Sequence, residues 1–258
     1  TRLERRIDRQ SAELSLLKPL ASKLPAQVFT QPVPVPPVTQ LDPASGQTLR
    51  DHLRRARELL AAAGWHYRDG ALRNDKGEAF TLEFLDNSGA MARVVTPYAK
   101  NLEKLGIRVT TKMVDFAVLQ KRLDVFDFEV ISNRTVGSDT PGTELFERFG
   151  SRAARTEGSG NLMGVSDPAI DALLDQVIAA RTRPQLITAV RALDRVLRFG
   201  HYSVPHWYGA VHRVAWRNGR FEQPALAPKY YQPEPWAVST WWATIQNRST
   251  LAQSRRRD

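Results

Sequence analysis

The sequence predicts an α/β protein, and three observations carry that expectation. Between residues 80 and 131 the apolar positions change repeatedly between a period of two and a helical period. The order that results is strand, helix, strand, helix, strand, which calls for a sheet with crossover connections and helices packed on it. Two further helical stripes follow after residue 167, and a hydrophobic share of 42% is ordinary for a packed chain.

The elements follow in order. Leu3, Ile7, Leu14 and Leu17 fall at helical spacings and predict an amphipathic helix over residues 2–18. Pro19 through Pro43 contains QPVPVPPVTQ, and its prolines predict an extended connector. Val28, Phe29, Val33 and Val35 are apolar enough to lie along a surface. Leu49, Leu53, Ala56, Leu59, Leu60 and Ala63 form one stripe over 48–63, with Thr48 as N-cap, Asp51 at the third position and Gly64 as the stop. Trp65 and Tyr67 precede two short β-like runs around Asn74-Asp75-Lys76-Gly77. In the second run Phe80, Leu82 and Phe84 alternate with Thr81 and Glu83.

Met91, Val94, Val95, Tyr98, Leu102 and Leu105 predict a helix stopped by Gly106. Ile107, Val109, Thr111 and Met113 then alternate as a strand. A short helix from Phe116 to Leu123 leads to a strand-like run, Phe126 to Ile131. Residues 132–164 hold few periodic apolars and much Gly, Ser, Thr and Asn, a loop long enough to suggest a function. Asp167-Pro168 opens a helix with an N-cap and an N1 proline, and a second helix starts near Pro184. Val204–Tyr208 and Val211–Trp216 predict a β-hairpin around Gly209-Ala210. The domain expectation is a helix and connector over 1–47, an α/β lobe over 48–200, a Trp- and Pro-rich segment over 201–246, and a basic tail over 247–258.

Composition excludes several classes. The chain has no Cys, so disulfides, thiolate nucleophiles and Cys-based metal sites are absent. No window has the uninterrupted apolar length of a membrane span. The net charge of +10 is concentrated: residues 1–23 and 247–258 each carry a surplus of three, leaving +4 on the other 223 residues. A near-balanced body argues against a nucleic-acid surface. The chain opens Thr1-Arg2-Leu3-Glu4, without an initiator Met or a signal peptide, and the expectation is the later part of a longer protein.

The constellations are sparse. His201, His206 and His212 are too irregularly spaced, with no acidic cluster, to predict a metal site. Asp124, Asp127 and Glu129 read as solvated charges rather than an acid/base pair. The common hydrolase, nucleotide and dinucleotide signatures are missing. Trp207, Tyr208, Trp216, Tyr230, Tyr231, Trp236, Trp241 and Trp242 crowd into 36 residues, which suits either a core patch or a cleft that grips amphipathic ligands.

A family resemblance enters on several phrases. LKPLASKLPAQVFT (17–30), RRARELLAAAGW (54–65), LEKLGIRVTTKMVDFAVLQKRLDVFDFEV (102–130), SDTPGTELFERFGS (138–151), GSGNLMGVSDPAIDALLDQVIAA (158–180), ALDRVL (192–197) and VPHWYGAVHRVAWRN (204–218) resemble the C-terminal half of family 5 extracellular solute-binding proteins. These are the oligopeptide- and dipeptide-type components of ABC importers, and the likeness is greatest to the oligopeptide and microcin C branch. The resemblance implies a periplasmic-binding-protein-like type II lobe with a mixed sheet flanked by helices, followed by a C-terminal return segment to the other lobe. It implies peptide capture in the periplasm and delivery to permease subunits, with the N-terminal half of the receptor and a leader outside this chain. No enzyme activity, cofactor, metal or nucleic-acid partner is expected. The alternatives are an α/β enzyme with a loop-borne site, or a basic-tail nucleic-acid binder.

The resemblance also implies an acidic anchor for a ligand's amino group in the 132–164 loop, at Asp139 or Glu144, with helix capping as the other duty for Asp139. Asn133 and Asn161 are candidates for contacts to peptide amides, or for turn formation. Trp207 and Tyr208 are candidates for lining the cleft, or for a core.

Overall fold

The computed structural model describes residues 11–35, 46–135, 137–138, 140–207, 209, 215–217, 219–226 and 233–244. Within residues 11–31 helical turns predominate: α1 over 11–17, a 3₁₀ helix Lys18–Lys23, and α2, Gln27–Thr30. The connector expected from Pro19 is therefore corrected. Pro19 sits in the first turn, where its missing N–H costs nothing, and the proline-dense stretch that resists helix begins only at Pro32. Leu17, Leu24 and Val28 are buried in the main core, whereas Val35 is 78% exposed.

Next comes α3, Leu49–Ala62, in which the Thr48 N–H and hydroxyl both donate to the Asp51 carboxylate. Those bonds, the backbone one foremost, hold Asp51 below the ordinary carboxylate range. Strands β1 (His66–Arg68) and β2 (Ala71–Arg73) form a hairpin whose turn, Asp69-Gly70, takes positive φ at both residues. In the turn that follows, the Asn74 side-chain oxygen accepts from the Lys76 and Glu78 N–H groups.

β3 (Thr81–Asp86) lies between β4 (Arg108–Met113) and β5 (Val130–Ile131), with the connections made by α4 (Ala92–Glu103) and α5 (Phe116–Asp124). Both pairings are parallel, and Phe84 faces Thr111 on one side and Val130 on the other. The fold class is α/β, as expected. Among the described residues the three-stranded sheet is parallel, and the antiparallel pairs are separate two-stranded units. The strand expected over 126–131 shrinks to two residues. Phe126 turns at φ 56, the Asp127 N–H donates to Arg122 O, and the α5 exit thus consumes the first half of the run.

The 132–164 stretch is not one loop. It contains α6 (Glu144–Phe149) and a 3₁₀ turn, Ala153–Arg155, and Leu145, Phe146 and Phe149 pack on the main core. That core is built on α7 (Pro168–Ala179) and α8 (Arg183–Phe199), through Ile170, Leu173, Leu174, Val177, Leu193 and Val196. Asp167 caps α7, and Thr182 with Gln185 forms a capping box on α8. A second, smaller cluster centres on Leu72, Leu105 and Ile107, with Leu53, Leu60, Trp65 and Phe80 against it.

The chain divides into two units, 1–135 with 143–204, and 136–142 with 205–258. All elements from α1 to α8 belong to the first unit. In the second, β6 (Phe221–Glu222) pairs antiparallel with β7 (Trp242–Ala243), and α9 spans Pro233–Thr240. Trp241 meets Trp216 and Trp236 edge to face at 5.2 and 5.5 Å. Residues 208 and 210–214 of the expected hairpin lie outside the described residues, and 204–207 and 215–217 carry no strand. Among the described residues no helix is long and apolar enough to cross a membrane.

Candidate functional site

A parallel sheet delivers all its strand ends to one edge, and the connections into the next helices leave that edge open. Here β3 ends at Asp86, β4 at Met113 and β5 just before Ser132. Together with the start of α4 they border a recess of about 360 Å³. Phe84 and Leu85 of β3, Val95 and Ala92 of α4, and Met113 give it apolar walls. Thr96, Thr111 and Ser132 add hydroxyls, and Gly89 contributes only backbone. Asp86 is the one ionisable residue in the lining.

The junction around Asp86 is tightly specified. Its Oδ1 accepts from the Asn87 and Ser88 N–H groups at 2.8 and 3.1 Å, while its carbonyl accepts from Val114 N–H at 2.9 Å. The Ser88 hydroxyl oxygen accepts from the Ala90 N–H as the chain turns into α4. After β4 the same device recurs, with Asp115 accepting from the Val118 N–H at the start of α5. Behind the recess, Tyr98 of α4 meets Phe84 edge to face at 6.2 Å, and burial pushes its phenol above the ordinary range, so it stays neutral.

The acidic groups singled out earlier are engaged elsewhere. Arg122 pairs with Asp127 at 2.9 Å and with Glu83 at 3.3 Å, and Glu129 accepts from the Glu83 N–H. Asp124 accepts from the Gln120 amide. Asp127 and Glu83 thus share one guanidinium, while Asp124 and Glu129 accept from an amide and a backbone N–H. This is a set of ion pairs and hydrogen bonds rather than two carboxyls sharing a proton. Among the described residues no group of three His, Cys, Asp or Glu could hold a metal, and His212 lies outside them.

Of the expected site residues, Asn133, Glu144 and Asn161 belong to the first unit and Trp207 to the second. Asn133 is exposed, two positions beyond β5 and next to the recess residue Ser132. Glu144 is exposed at the first turn of α6. Asn161 is corrected as a ligand contact. It is fully buried, and its amide donates to Gly150 O and Val165 O while its carbonyl accepts from Val165 N–H. Trp207 is 69% exposed, with His206 at 5.6 Å. Asp139 and Tyr208 lie outside the described residues. Sequence reasoning passed over Asp86. The signal was present in Asp86-Asn87-Ser88-Gly89, four turn-forming residues between an alternating strand and a helical stripe.

With that geometry in hand, the chain can be set beside known proteins. Residues 7–157 match the family described as Bacterial extracellular solute-binding proteins, family 5 Middle. The chain belongs to that family. It is 37% identical over 232 residues to a probable peptide-binding protein, YejA, of Agrobacterium fabrum, covering 90% of this chain and 36% of that one. A putative binding protein of Brucella suis is 39% identical over 212 residues, with 82% and 33% covered. An uncharacterised Escherichia coli YejA is 32% identical, with 93% and 38% covered. The chain thus spans about a third of the length of these relatives. Among solved structures, the oligopeptide-binding protein AppA of Bacillus subtilis, in complex with a nonapeptide, superposes with a TM-score of 0.54 at 19% identity, covering 75% of this chain and 40% of AppA. A mannohexaose-bound periplasmic oligopeptide-binding protein of Thermotoga maritima gives 0.54 at 20% identity, covering 78% and 41%. These likenesses place the fold among the oligopeptide-binding proteins.

Proposed function

We infer that this chain is a ligand-gripping part of a periplasmic receptor that captures peptides or peptide-like solutes and hands them to the permease of an ABC importer. The observation that carries this reading is the recess at the carboxyl edge of the β4-β3-β5 sheet, in a member of solute-binding family 5. At about 360 Å³ the recess is near the small end of ligand sites, suited to one residue of a ligand rather than to a whole oligopeptide. The remaining contacts would come from the rest of the receptor, because a ligand favours a closed form through what it touches on both sides. Capture is reversible and needs no bond-making. Glu83 and Asp127 are ion-paired with Arg122, Asp115 caps α5, and the relatives are named as binding proteins. Asn133 stands beside the recess as a contact for peptide amides, and Trp207, Asp139, Glu144 and Tyr208 remain proposals for contacts elsewhere along the ligand.

Thermal unfolding of the chain with a pool of random tripeptides, and separately with mannohexaose, tests the reading. Peptide is expected to raise Tm in a concentration-dependent way, as any ligand selective for the native state does. A shift with the sugar and none with peptides at millimolar concentration would overturn it.

A further inference from the structure

We propose that the open edge of β4 is a docking strand for an extended, acidic segment of a partner protein, which joins the sheet by main-chain pairing. The surface is the lateral edge of the sheet, separate from the recess at its carboxyl end, and it is independent of peptide capture there. In the order β4-β3-β5 the outer strands are β4, six residues long, and β5, which has two. Six strand residues span roughly 20 Å, enough for a partner strand to gain several hydrogen bonds. The register leaves half of the β4 main chain without a neighbour. Arg108 N–H donates to Phe80 O and Val114 N–H to Asp86 O, so the even-numbered residues turn their N–H and C=O groups toward β3. Val109, Thr111 and Met113 turn theirs outward, and among the described residues no strand pairs with β4 on that side.

The side chains select what this edge accepts. Every residue of β4 except Val109 is exposed. Alternation puts Arg108, Thr110 and Lys112 on one face and Val109, Thr111 and Met113 on the other. Among the described residues neither Arg108 nor Lys112 forms an ion pair, and Glu83, which lies across from Thr110, is taken by Arg122. Charges on an exposed edge keep unsuitable strands away. Here both are cations, so they repel a basic strand and admit an acidic one, because opposite charges directly across a ladder attract. A second copy of this chain fits poorly. Pairing β4 with itself would gather Arg108 and Lys112 of both copies on one face of the joined sheet, and each copy carries a net charge of +10. The matching segment has Asp or Glu four residues apart, opposite Lys112 and Arg108, with β-branched residues on its other face against Val109, Thr111 and Met113. Main-chain bonds then supply the affinity, and the alternate side chains supply the selectivity.

End-blocked peptides added to the whole chain test the proposal, since blocking removes the terminal charges of a free peptide. N-acetyl-Val-Glu-Val-Thr-Val-Glu-amide should bind at low salt and slow hydrogen exchange at Val109, Thr111 and Met113. The same peptide with Lys in place of Glu should bind about tenfold more weakly, the scale of two cross-strand charge pairs turned from attraction to repulsion. Methylating the Val nitrogens removes the donors that face β4 and should abolish binding. Arg108→Glu combined with Lys112→Glu, at two exposed positions outside the recess lining, should keep its circular dichroism and invert the preference to the Lys peptide. Equal binding of the methylated peptide by the unaltered chain would reduce the edge to charge attraction and overturn strand pairing, with no variant needed. No binding of the Glu peptide at millimolar concentration, or protection confined to α4 beside the recess, would overturn the docking strand. Protection at Val109, Thr111 and Met113 that grows with chain concentration alone would give the edge to a second copy and overturn the acidic partner.

Discussion

Asn161 sits with its carboxamide used three times, donating to Gly150 O and Val165 O and accepting from Val165 N–H, with no exposed surface. It joins the end of α6 to the approach of α7. A buried polar group left without its partner costs more than the bond was worth, since nothing replaces the lost water. Asn161→Leu would strand two carbonyls and one N–H. The expected loss of stability is on the order of 3 kcal/mol, read as a lower urea midpoint at unchanged slope. A midpoint within error of the parent would show that the turn is held by something else. Asn161 also shows why site residues are hard to read from sequence: a loop Asn looks the same whether its amide faces ligand or backbone, and only burial separates the two. Asp86 was hidden for the opposite reason. As the last residue of an alternating strand it looked like a terminator, and its place in the lining depends on the ends of β4 and β5 arriving beside it.

At the scale of elements, amphipathic helices with capping signals were legible. Thr48 and Asp51 on α3, Asp167-Pro168 on α7 and Pro184 on α8 marked helix starts close to those observed. Elements decided by long-range contact were not. The residues around Pro19 to Thr30 read as connector because Pro dominates local propensity. What buries Leu24 and Val28 is packing on the α7–α8 core, far away in the chain. Arg195 is itself buried, its Nε donating to Val28 O and its Nη2 to Gln31 O, with the guanidinium 5.8 Å from the Phe199 ring centroid. One turn on, Arg198 donates to Pro34 O at 3.0 Å. The accepted carbonyls lie at 28, 31 and 34, and the two arginines are also three apart, so one helix face meets one face of the strap. Lys cannot reproduce this, because a point ammonium lacks the planar fork. Arg195→Lys should therefore destabilise nearly as much as Arg195→Ala, by about 2–4 kcal/mol, and both should speed proteolytic cleavage within 28–35. Full rescue by Lys would show that charge alone holds the strap.

At the scale of the whole chain, the two apolar clusters of the first unit are unequal. The α7–α8 cluster buries Leu17, Val28, Val165, Ile170, Leu173 and Leu174 almost completely, while the cluster around Leu72, Leu105 and Ile107 has three buried members and a rim of half-exposed ones. Opening free energy follows buried apolar contact, so the chain should not unfold evenly. Hydrogen exchange should be slowest in α7 and α8 and faster in α3 and the β1–β2 hairpin, although these sit on the side that carries the sheet. Leu173→Ala, which empties part of the larger cluster, should cost about 3 kcal/mol and speed α7 exchange toward that of α3. Amides of α3 that outlast those of α7 in the parent chain would contradict this ordering. The expected ordering suits a ligand grip. The recess belongs to the sheet edge and α4, elements with the thinner core, and groups that adjust to a ligand are drawn from the less stable part of a fold. Peptide binding in the recess should therefore slow exchange most in α4 and the ends of β3 and β4, and leave α7 and α8 as they were.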